Sequence, residues 1–244
     1  MADPYAIEPD PSAPRLPGQT VLREDEDAVL DTLAADIYVH ALDCVRRFGD
    51  FHLAIGAGRF EQRLCVRLMT DPAVRLLPWN RAHLWAVRAR RGDDGGTDFR
   101  EIVELLADHA GLPEGRVHEP VFAGEDHASA YQAELREALA WREKGHDRLD
   151  VVVLTLSPSG VVEGIADAGD DEGGGVLVVP TGDTVGVSMS AALVNSARMV
   201  AIAATGAGVA SVLREADRGA APGGAVRPIG GALRWYIDRR AYPG

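Results

Sequence analysis

The sequence has little positive charge and no long apolar run. Its 244 residues carry 25 Lys and Arg against 37 Asp and Glu, a formal net charge of −12. Nucleic acid or an anionic membrane would be repelled at long range, so neither is expected as a partner, although a small local anion site stays open. No apolar run approaches about 18 residues and no secretory leader follows Met1, which predicts a cytoplasmic protein.

Cysteine is also scarce, with only Cys44 and Cys65, both in predicted helices. Their spacing fits neither a metal site nor a disulfide framework, so we expect two buried thiols and no metal. The Gly-x-Gly pairs at 56/58 and 206/208 lack the rest of the dinucleotide fingerprint and are typical of tight turns. We therefore predict no cofactor.

The first 20 residues differ from the rest of the chain. They contain five prolines among acidic and small residues, which predicts a flexible tail at 1–20. With 46% hydrophobic and 25% charged residues, the composition is typical of a globular protein. Because no internal repeat is visible, residues 21–244 are predicted to form one domain.

Short apolar runs alternate with segments of helical periodicity along this domain. Such alternation predicts a Rossmann-like α/β fold, a mostly parallel sheet with helices on both faces. The predicted strands are 52–55, 83–87, 117–121, 150–156, 176–179, 200–204 and, at an edge, 233–237; the predicted helices are 23–48, 59–68, 99–110, 128–144 and 209–218, and a loop is predicted at 88–98.

The stretch 150–167 is the centre of this pattern. Residues 150–156 are apolar and β-branched but too few for a helix, which predicts a strand buried on both faces. Ser157-Pro158-Ser159-Gly160 then forms a turn. Ligands of open α/β sheets bind beyond the carboxyl ends of strands, so a site is expected at this turn.

The same stretch resembles the strand-and-loop motif of the 6-phosphogluconolactonases, relatives of glucosamine-6-phosphate deaminase. The resemblance extends from about Arg23 to Ala241, and its most specific part lies near the carboxyl end. The matching positions are Asp150, Val151, Val152, Leu154, Pro158 and Gly160 in the central motif, and Pro222, Val226, Pro228, Gly231, Leu233, Trp235, Ile237 and Asp238 near the carboxyl end.

The resemblance implies a fold that is retained and a catalytic site that is lost. In this family a histidine acts as the base that activates water to open the lactone, and Ser/Thr, basic side chains and backbone N–H groups hold the phosphate. The histidine position is Val161 here, a lysine position is Val209, and two loop glycines and an acid are replaced by Thr155, Ser157 and Ser159. The chain is therefore identified as a divergent member without the family's catalytic motif.

Two residues are candidates for a substitute base. Glu163 lies two positions beyond the lost histidine, and His127 precedes a predicted helix. The alternatives are that Glu163 is a solvated acid at the start of an element and that the histidine is structural. Ser157 and Ser159 lack an evident histidine and acid that would activate them as nucleophiles.

Arginines at strand ends form the candidate anion site. Gly58 and Arg59 open a helix after a Gly-Ala-Gly turn, where free N–H groups attract anions, and Arg88 and Arg90 follow the next strand. The alternative is that 88–91 pair with acids at 93–94 in a solvated loop.

Three functions remain open from the sequence. The first is a binding or interaction protein without lactonase activity, whose ligand would be a phosphosugar or other small anion. The second is an active 6-phosphogluconolactonase, or related sugar-phosphate hydrolase of the pentose phosphate pathway, with a rebuilt site. The third is a structural subunit whose cleft is closed by Phe60, Val161 and Val209. A protein partner or homodimer is compatible with each.

Overall fold

A parallel sheet forms the centre of the molecule. The computed structural model describes residues 13–92, 96–123, 126–163, 165–166, 176–181, 184–216, 218, 222 and 224–243. In spatial order the parallel strands are β1 (Gln19–Arg23), β12 (Ala232–Asp238), β11 (Met199–Ala204), β6 (Val151–Leu156), β2 (Phe51–Ile55), β3 (Ala82–Ala86) and β5 (Val117–His118). The short strand β7 (Val162–Glu163) pairs antiparallel with β6.

The central strands are buried on both faces, which explains why their sequences are continuous apolar runs. Every residue of β2 and of β11 is buried, and successive side chains of a strand point to opposite faces. Both faces of the sheet are therefore covered. The predicted fold class, a mostly parallel sheet with helices on both faces, is confirmed.

The helices of the described part follow the predicted alternation. The long first helix begins at an N-cap, where the Asp25 carboxylate accepts a hydrogen bond of 2.8 Å from the Ala28 N–H. It ends at Gly49, whose φ of +87° favours glycine. The helices are α1 (Glu26–Phe48), α2 (Arg59–Thr70), α3 (Arg100–Ala110), α4 (His127–Leu139), α5 (Ala191–Asn195) and α6 (Ala210–Ala216).

A second sheet replaces the loop predicted at 88–98. Within the described residues its four strands are β4 (Arg88–Arg90), β10 (Thr184–Ser190), β8 (Ile165–Ala166) and β9 (Val176–Thr181). The prediction was wrong for 88–90 because these residues pair antiparallel with β10, a partner about 100 positions away that local composition does not reveal.

The predicted tail and the predicted edge strand are both corrected by β1. This strand pairs in parallel with β12, so β12 lies inside the sheet and β1 forms the edge. The indole of Trp235, buried like Tyr236, donates a hydrogen bond of 2.9 Å to the Pro17 carbonyl, and Ala13 and Leu16 pack against the core. The tail prediction is therefore wrong for 13–20, and 1–12 lie outside the described residues.

The helix predicted to extend to position 144 ends at Leu139. The chain turns there, and the Arg142 side chain contacts buried carboxylates at the amino ends of β2 and β6. Within the described residues, none of the helices combines the length and the apolar character needed to cross a membrane.

Candidate functional site

An open cleft lies at the carboxyl ends of the central strands, where the sequence predicts a site. Its volume is about 160 Å³. We call it the carboxyl-end cleft. It is lined by Gly56, Ala57, Gly58, Glu61, Arg88, Arg90, Asp98, Thr155 and Glu163.

Glu61 is the most buried charged residue of this cleft. It lies in the first turn of α2, and only 3% of the residue is exposed. A Cβ atom at position 58 would stand 2.6 Å from the Glu61 Oε2 atom, and one at position 56 would stand 3.1 Å from Oε1. The two glycines therefore make room for the Glu61 carboxyl group, which folds back over the start of its own helix.

Thr155 and Glu163 lie beside this carboxyl group. They are opposite each other in the antiparallel pair of β6 and β7, and the Thr155 side chain hydrogen-bonds Glu61. Burial raises the pKa of Glu61, and the nearby Glu163 carboxylate raises it further. Hydrogen bonds from Thr155 and from the backbone of Gly58 and Glu61 lower this pKa, but by less. The cleft thus contains two neighbouring carboxyl groups in different surroundings, one buried and one exposed.

The positive charge of the cleft comes from β4. The Arg90 guanidinium is already paired, since its Nε donates to the Asp98 carboxylate over 2.8 Å. The Nε atom of Arg88 is buried and has no hydrogen-bond partner among the described residues. The acids at 93–94 of the alternative prediction lie outside the described residues. Within the described part of the chain, the Arg88 Nε is thus a donor without an acceptor.

Arg59 does not join Arg88 and Arg90. It lines a neighbouring cleft with Glu26, Arg63 and Asp238, while Gly58 lines the carboxyl-end cleft. Residues 59 and 61 are about 200° apart around the helix axis, so their side chains leave on different sides. The four residues of the predicted anion site are thus divided between two clefts.

The turn after β6 does not close the carboxyl-end cleft. Gly160 has a φ of +84°, which favours glycine, and the hydroxyl groups of Ser157 and Ser159 are 2.7 Å apart. Val161, in the position of the family's histidine, is 53% exposed, whereas Val209 is buried in a 3-10 turn at Ala207–Val209. An exposed valine cannot seal the cleft, so the structural subunit with a closed site is not supported.

His127 lies outside the lining of the carboxyl-end cleft. It is the first residue of α4, is buried, and its ring packs on Phe122 with centroids 5.2 Å apart. Of the two candidates for a substitute base, only Glu163 is in the cleft.

A second group of charged residues lies at the opposite, amino ends of the same strands. The Arg142 guanidinium bridges the carboxylates of Asp50 (2.9 Å from Nε) and Asp150 (2.8 Å from Nη2), and Arg198 donates to Asp150 over 3.0 Å. With His52, we call these residues the amino-end cluster. The pKa of Asp50 is lowered, because hydrogen bonds from His52 and Arg142 outweigh its burial. Arg142, Asp50 and Asp150 are buried together.

The histidines beside this cluster form a hydrogen-bonded chain. Arginine only donates, so His83 Nε2 accepts from Arg116 (3.1 Å) and His83 Nδ1 donates to His118 Nε2 (2.9 Å). His118 Nδ1 then donates to the Glu134 carboxylate over 2.5 Å. The network assigns these tautomers. Burial, with the neighbouring His52, His118 and Arg116, lowers the pKa of His83 to about 3, so this ring is neutral.

The donors of Asp50, His52 and His83 lie close enough together to be tested as a metal site. Their chemistry does not fit one. His52 Nδ1 accepts from the Trp85 indole (3.1 Å), so its Nε2 carries the proton that is donated to Asp50 (2.7 Å). The His52 and His83 rings are stacked 4.4 Å apart at 8°, so their in-plane lone pairs do not converge.

Sequence reasoning missed Glu61, Thr155 as a lining residue and Asp98. The signal for Glu61 was present, since an acid three positions after an N-cap glycine is typical of a first helical turn. Its burial in the cleft, however, depends on β7 and β4, whose pairing is not visible in the local sequence.

Comparison with known proteins identifies the family. The family model described as glucosamine-6-phosphate isomerases/6-phosphogluconolactonase matches residues 24–235. The chain belongs to this family. The rabbit (Oryctolagus cuniculus) GDH/6PGL endoplasmic bifunctional protein is 29% identical over 89% of the chain, which spans only 29% of that protein's length. A 6-phosphogluconolactonase of Aggregatibacter actinomycetemcomitans is 24% identical over 78% of the chain and 85% of the relative.

Solved structures confirm the fold. The 6-phosphogluconolactonase of Thermotoga maritima superposes with a TM-score of 0.74 at 23% identity, covering 90% of this chain and 100% of that one. The 6-phosphogluconolactonase of Trypanosoma cruzi superposes with a TM-score of 0.75 at 15% identity, covering 95% and 97%. At these identities the likeness establishes the fold alone.

Proposed function

We propose that this member of the 6-phosphogluconolactonase family binds a small anion, such as a phosphosugar, and has lost lactonase activity. The observation that carries the proposal is Arg88. Its buried Nε has no partner among the described residues and it lines an open cleft. A buried donor left without an acceptor carries a free-energy penalty that a bound anion would remove.

The proposed loss of activity is supported by the residue at the position of the base. Valine has no group that accepts a proton, and Val161 is 53% exposed on the turn after β6. Losing a general base lowers a rate by about 10²–10⁴-fold. The family's phosphate-holding residues are replaced as well, so the affinity for a lactone substrate should also fall.

The size and charge of the cleft restrict the ligand. A volume of about 160 Å³ admits a small molecule rather than a polymer, in keeping with a net charge of −12 that disfavours nucleic acid. Arg88, beside the turn at 56–58, would hold the anion, and we propose no cofactor. The place of action that we propose is the cytoplasm.

A second function is favoured by one observation. Glu61 and Glu163 are neighbouring carboxyl groups in the same cleft, and two carboxyl groups in unlike surroundings can serve as acid and base. In that case Glu163 would activate water, and the chain would be a sugar-phosphate hydrolase of the pentose phosphate pathway with a rebuilt site.

Hydrolysis of 6-phosphogluconolactone distinguishes the two functions. The purified chain is assayed beside an active 6-phosphogluconolactonase, with the spontaneous opening of the lactone subtracted. We expect no rate above this background, and the same result for Glu163→Gln and for the control Glu137→Gln on the exposed side of α4. A rate that Glu163→Gln abolishes and Glu137→Gln preserves would establish the hydrolase instead.

A further inference from the structure

The anion site proposed above leaves one group of the carboxyl-end cleft unused. Only 3% of Glu61 is exposed, and its Oε2 atom has no hydrogen-bond partner among the described residues. The glycines at 56 and 58 leave space for this carboxyl group that a Cβ atom would fill. The turn is therefore shaped around a buried carboxyl group that lines the cleft.

Charged and titratable groups surround Glu61 on several elements. On its own helix the nearest is the buried thiol of Cys65. Strand β6 provides the Thr155 hydroxyl and β7 provides the Glu163 carboxylate. Arg88 and Arg90 lie on β4, and Asp98 follows in the next segment. Arg90 is neutralised by Asp98, so Arg88 is the positive charge that remains for the negative charges in the cleft.

We propose that Glu61 takes up one proton from solvent when an oxyanion binds beside Arg88. With Glu61 and Glu163 ionised and an anion bound, three negatively charged groups would lie near Arg88, whose Nε has no partner among the described residues. A protonated Glu61 removes one of them, and its O–H can donate to an oxygen of the ligand. This inference rests on the proposed function and assigns the proton dependence of the same site.

A purely structural role for Glu61 makes a different prediction. A glutamate three positions after the N-cap can accept a hydrogen bond from the backbone at the start of the helix. Glutamine serves that role as well. If capping were its only role, Glu61→Gln would leave the pH dependence of ligand binding unchanged.

Calorimetric titration with 6-phosphogluconate and with sulfate, from pH 5 to 8.5, tests the inference. Each titration is repeated in two buffers of different ionisation enthalpy, which counts the protons taken up. For the unmodified chain we expect the Kd to rise with pH by up to about tenfold per unit, with uptake of up to one proton. Glu61→Gln should bind as tightly as the unmodified chain does at low pH, without this dependence.

Two further variants keep the inference testable if Glu61→Gln folds poorly. Glu163→Gln removes a negative charge that disfavours ionisation of Glu61, so the proton-linked range should shift to lower pH even if Glu61→Gln folds poorly. Glu137→Gln, remote from the cleft, should behave as the unmodified chain. Comparing each variant with the unmodified chain cancels the titration of the 6-phosphogluconate phosphate itself.

The outcomes separate the inference from the proposed function. Binding that depends on Arg88 but has equal pH slopes and proton counts in the unmodified chain and in Glu61→Gln would overturn the inference alone. An unshifted proton-linked range in Glu163→Gln would also count against it. An absence of binding for both probes at every pH would overturn both the inference and the proposed anion site.

Discussion

The two ends of the central strands carry similar charged residues, which are paired with each other at the amino ends and incompletely paired at the carboxyl ends. In the amino-end cluster, Arg142 makes hydrogen bonds to Asp50 and Asp150 with its Nε, Nη1 and Nη2 atoms. In the carboxyl-end cleft, Arg88 Nε and Glu61 Oε2 have no partner among the described residues. Both regions hold arginines and carboxylates, one at the amino ends and the other at the carboxyl ends of strands of the same sheet.

This difference separates stability from binding. Buried charges whose partners are all inside the protein contribute to the fold, and removing one partner leaves another charge uncompensated. Buried polar atoms without an internal partner are expensive for folding and are expected where a ligand supplies the partner. We therefore expect mutations in the amino-end cluster to lower the free energy of unfolding, and mutations in the carboxyl-end cleft to change mainly the ligand affinity.

The largest effect is expected from Arg142→Met in the amino-end cluster. The substitution leaves Asp50 and Asp150 buried without their shared cation and should lower the free energy of unfolding by about 3–5 kcal/mol. Urea denaturation measures it. Arg46→Met, in an exposed pair with Asp43, is the matched control and should change stability by less than about 0.5 kcal/mol. Equal effects of the two variants would contradict a structural role for the cluster.

Arg88→Ala should show the reverse pattern. It removes the free donor of the carboxyl-end cleft and should weaken 6-phosphogluconate binding by about 10- to 100-fold, the worth of a charge-assisted hydrogen bond. The free energy of unfolding should change little, because the Arg88 Nε makes no hydrogen bond to the described residues. Thermal-shift titration measures both quantities on one sample. Arg59→Ala, in the neighbouring cleft, is the control and should retain binding.

His83 should make the amino-end region sensitive to acid. Its pKa is lowered from 6.5 to about 3, so the folded state binds fewer protons than the unfolded state between these values. Stability is therefore lost as the pH falls through this range, by up to about 1.4 kcal/mol per pH unit for one proton. In His83→Asn the slope of unfolding free energy against pH between 6 and 4 should be smaller. An unchanged slope would show that this ring carries no part of the acid sensitivity.

The smallest effect is expected from Glu61→Gln on stability. The pKa of Glu61 is raised by burial, so the contribution of this residue to stability is fully present below its unfolded pKa and declines as the pH rises through its folded pKa. The variant should equal the unmodified chain near pH 4 and be more stable at pH 8, by up to about 1 kcal/mol or 2–4 °C in Tm. If Glu61→Gln were instead less stable than the unmodified chain at pH 8, the ionised Glu61 would be stabilising, which would contradict a pKa raised by burial.

The sequence predicted the sheet better than the site because the two depend on different information. The burial of apolar runs such as 150–156 and 200–204 is evident from their own composition, so most of the parallel strands were located. The pairing of β1 with β12 and of β4 with β10 joins segments more than 90 positions apart, and both were missed. The loss of the histidine at position 161 could be recognised from the family motif alone. The surroundings of Glu61, in contrast, come from β4, β6 and β7, which are separate in the sequence.

The division of the predicted arginines shows the same limit. Gly58 and Arg59 are adjacent in sequence, yet they line different clefts because the helix turns between successive side chains. Proximity in the sequence, and position at the same edge of the sheet, were both correct observations. Neither determines the direction of a side chain.

A crystal structure with 6-phosphogluconate is the most direct test of the central claim, because it compares the two clefts in one experiment. We predict that a negatively charged group of the ligand lies within hydrogen-bonding distance of Arg88 Nε, with Glu61 Oε2 beside a ligand oxygen. A ligand bound in the neighbouring cleft at Arg59, with the carboxyl-end cleft empty, would contradict the account.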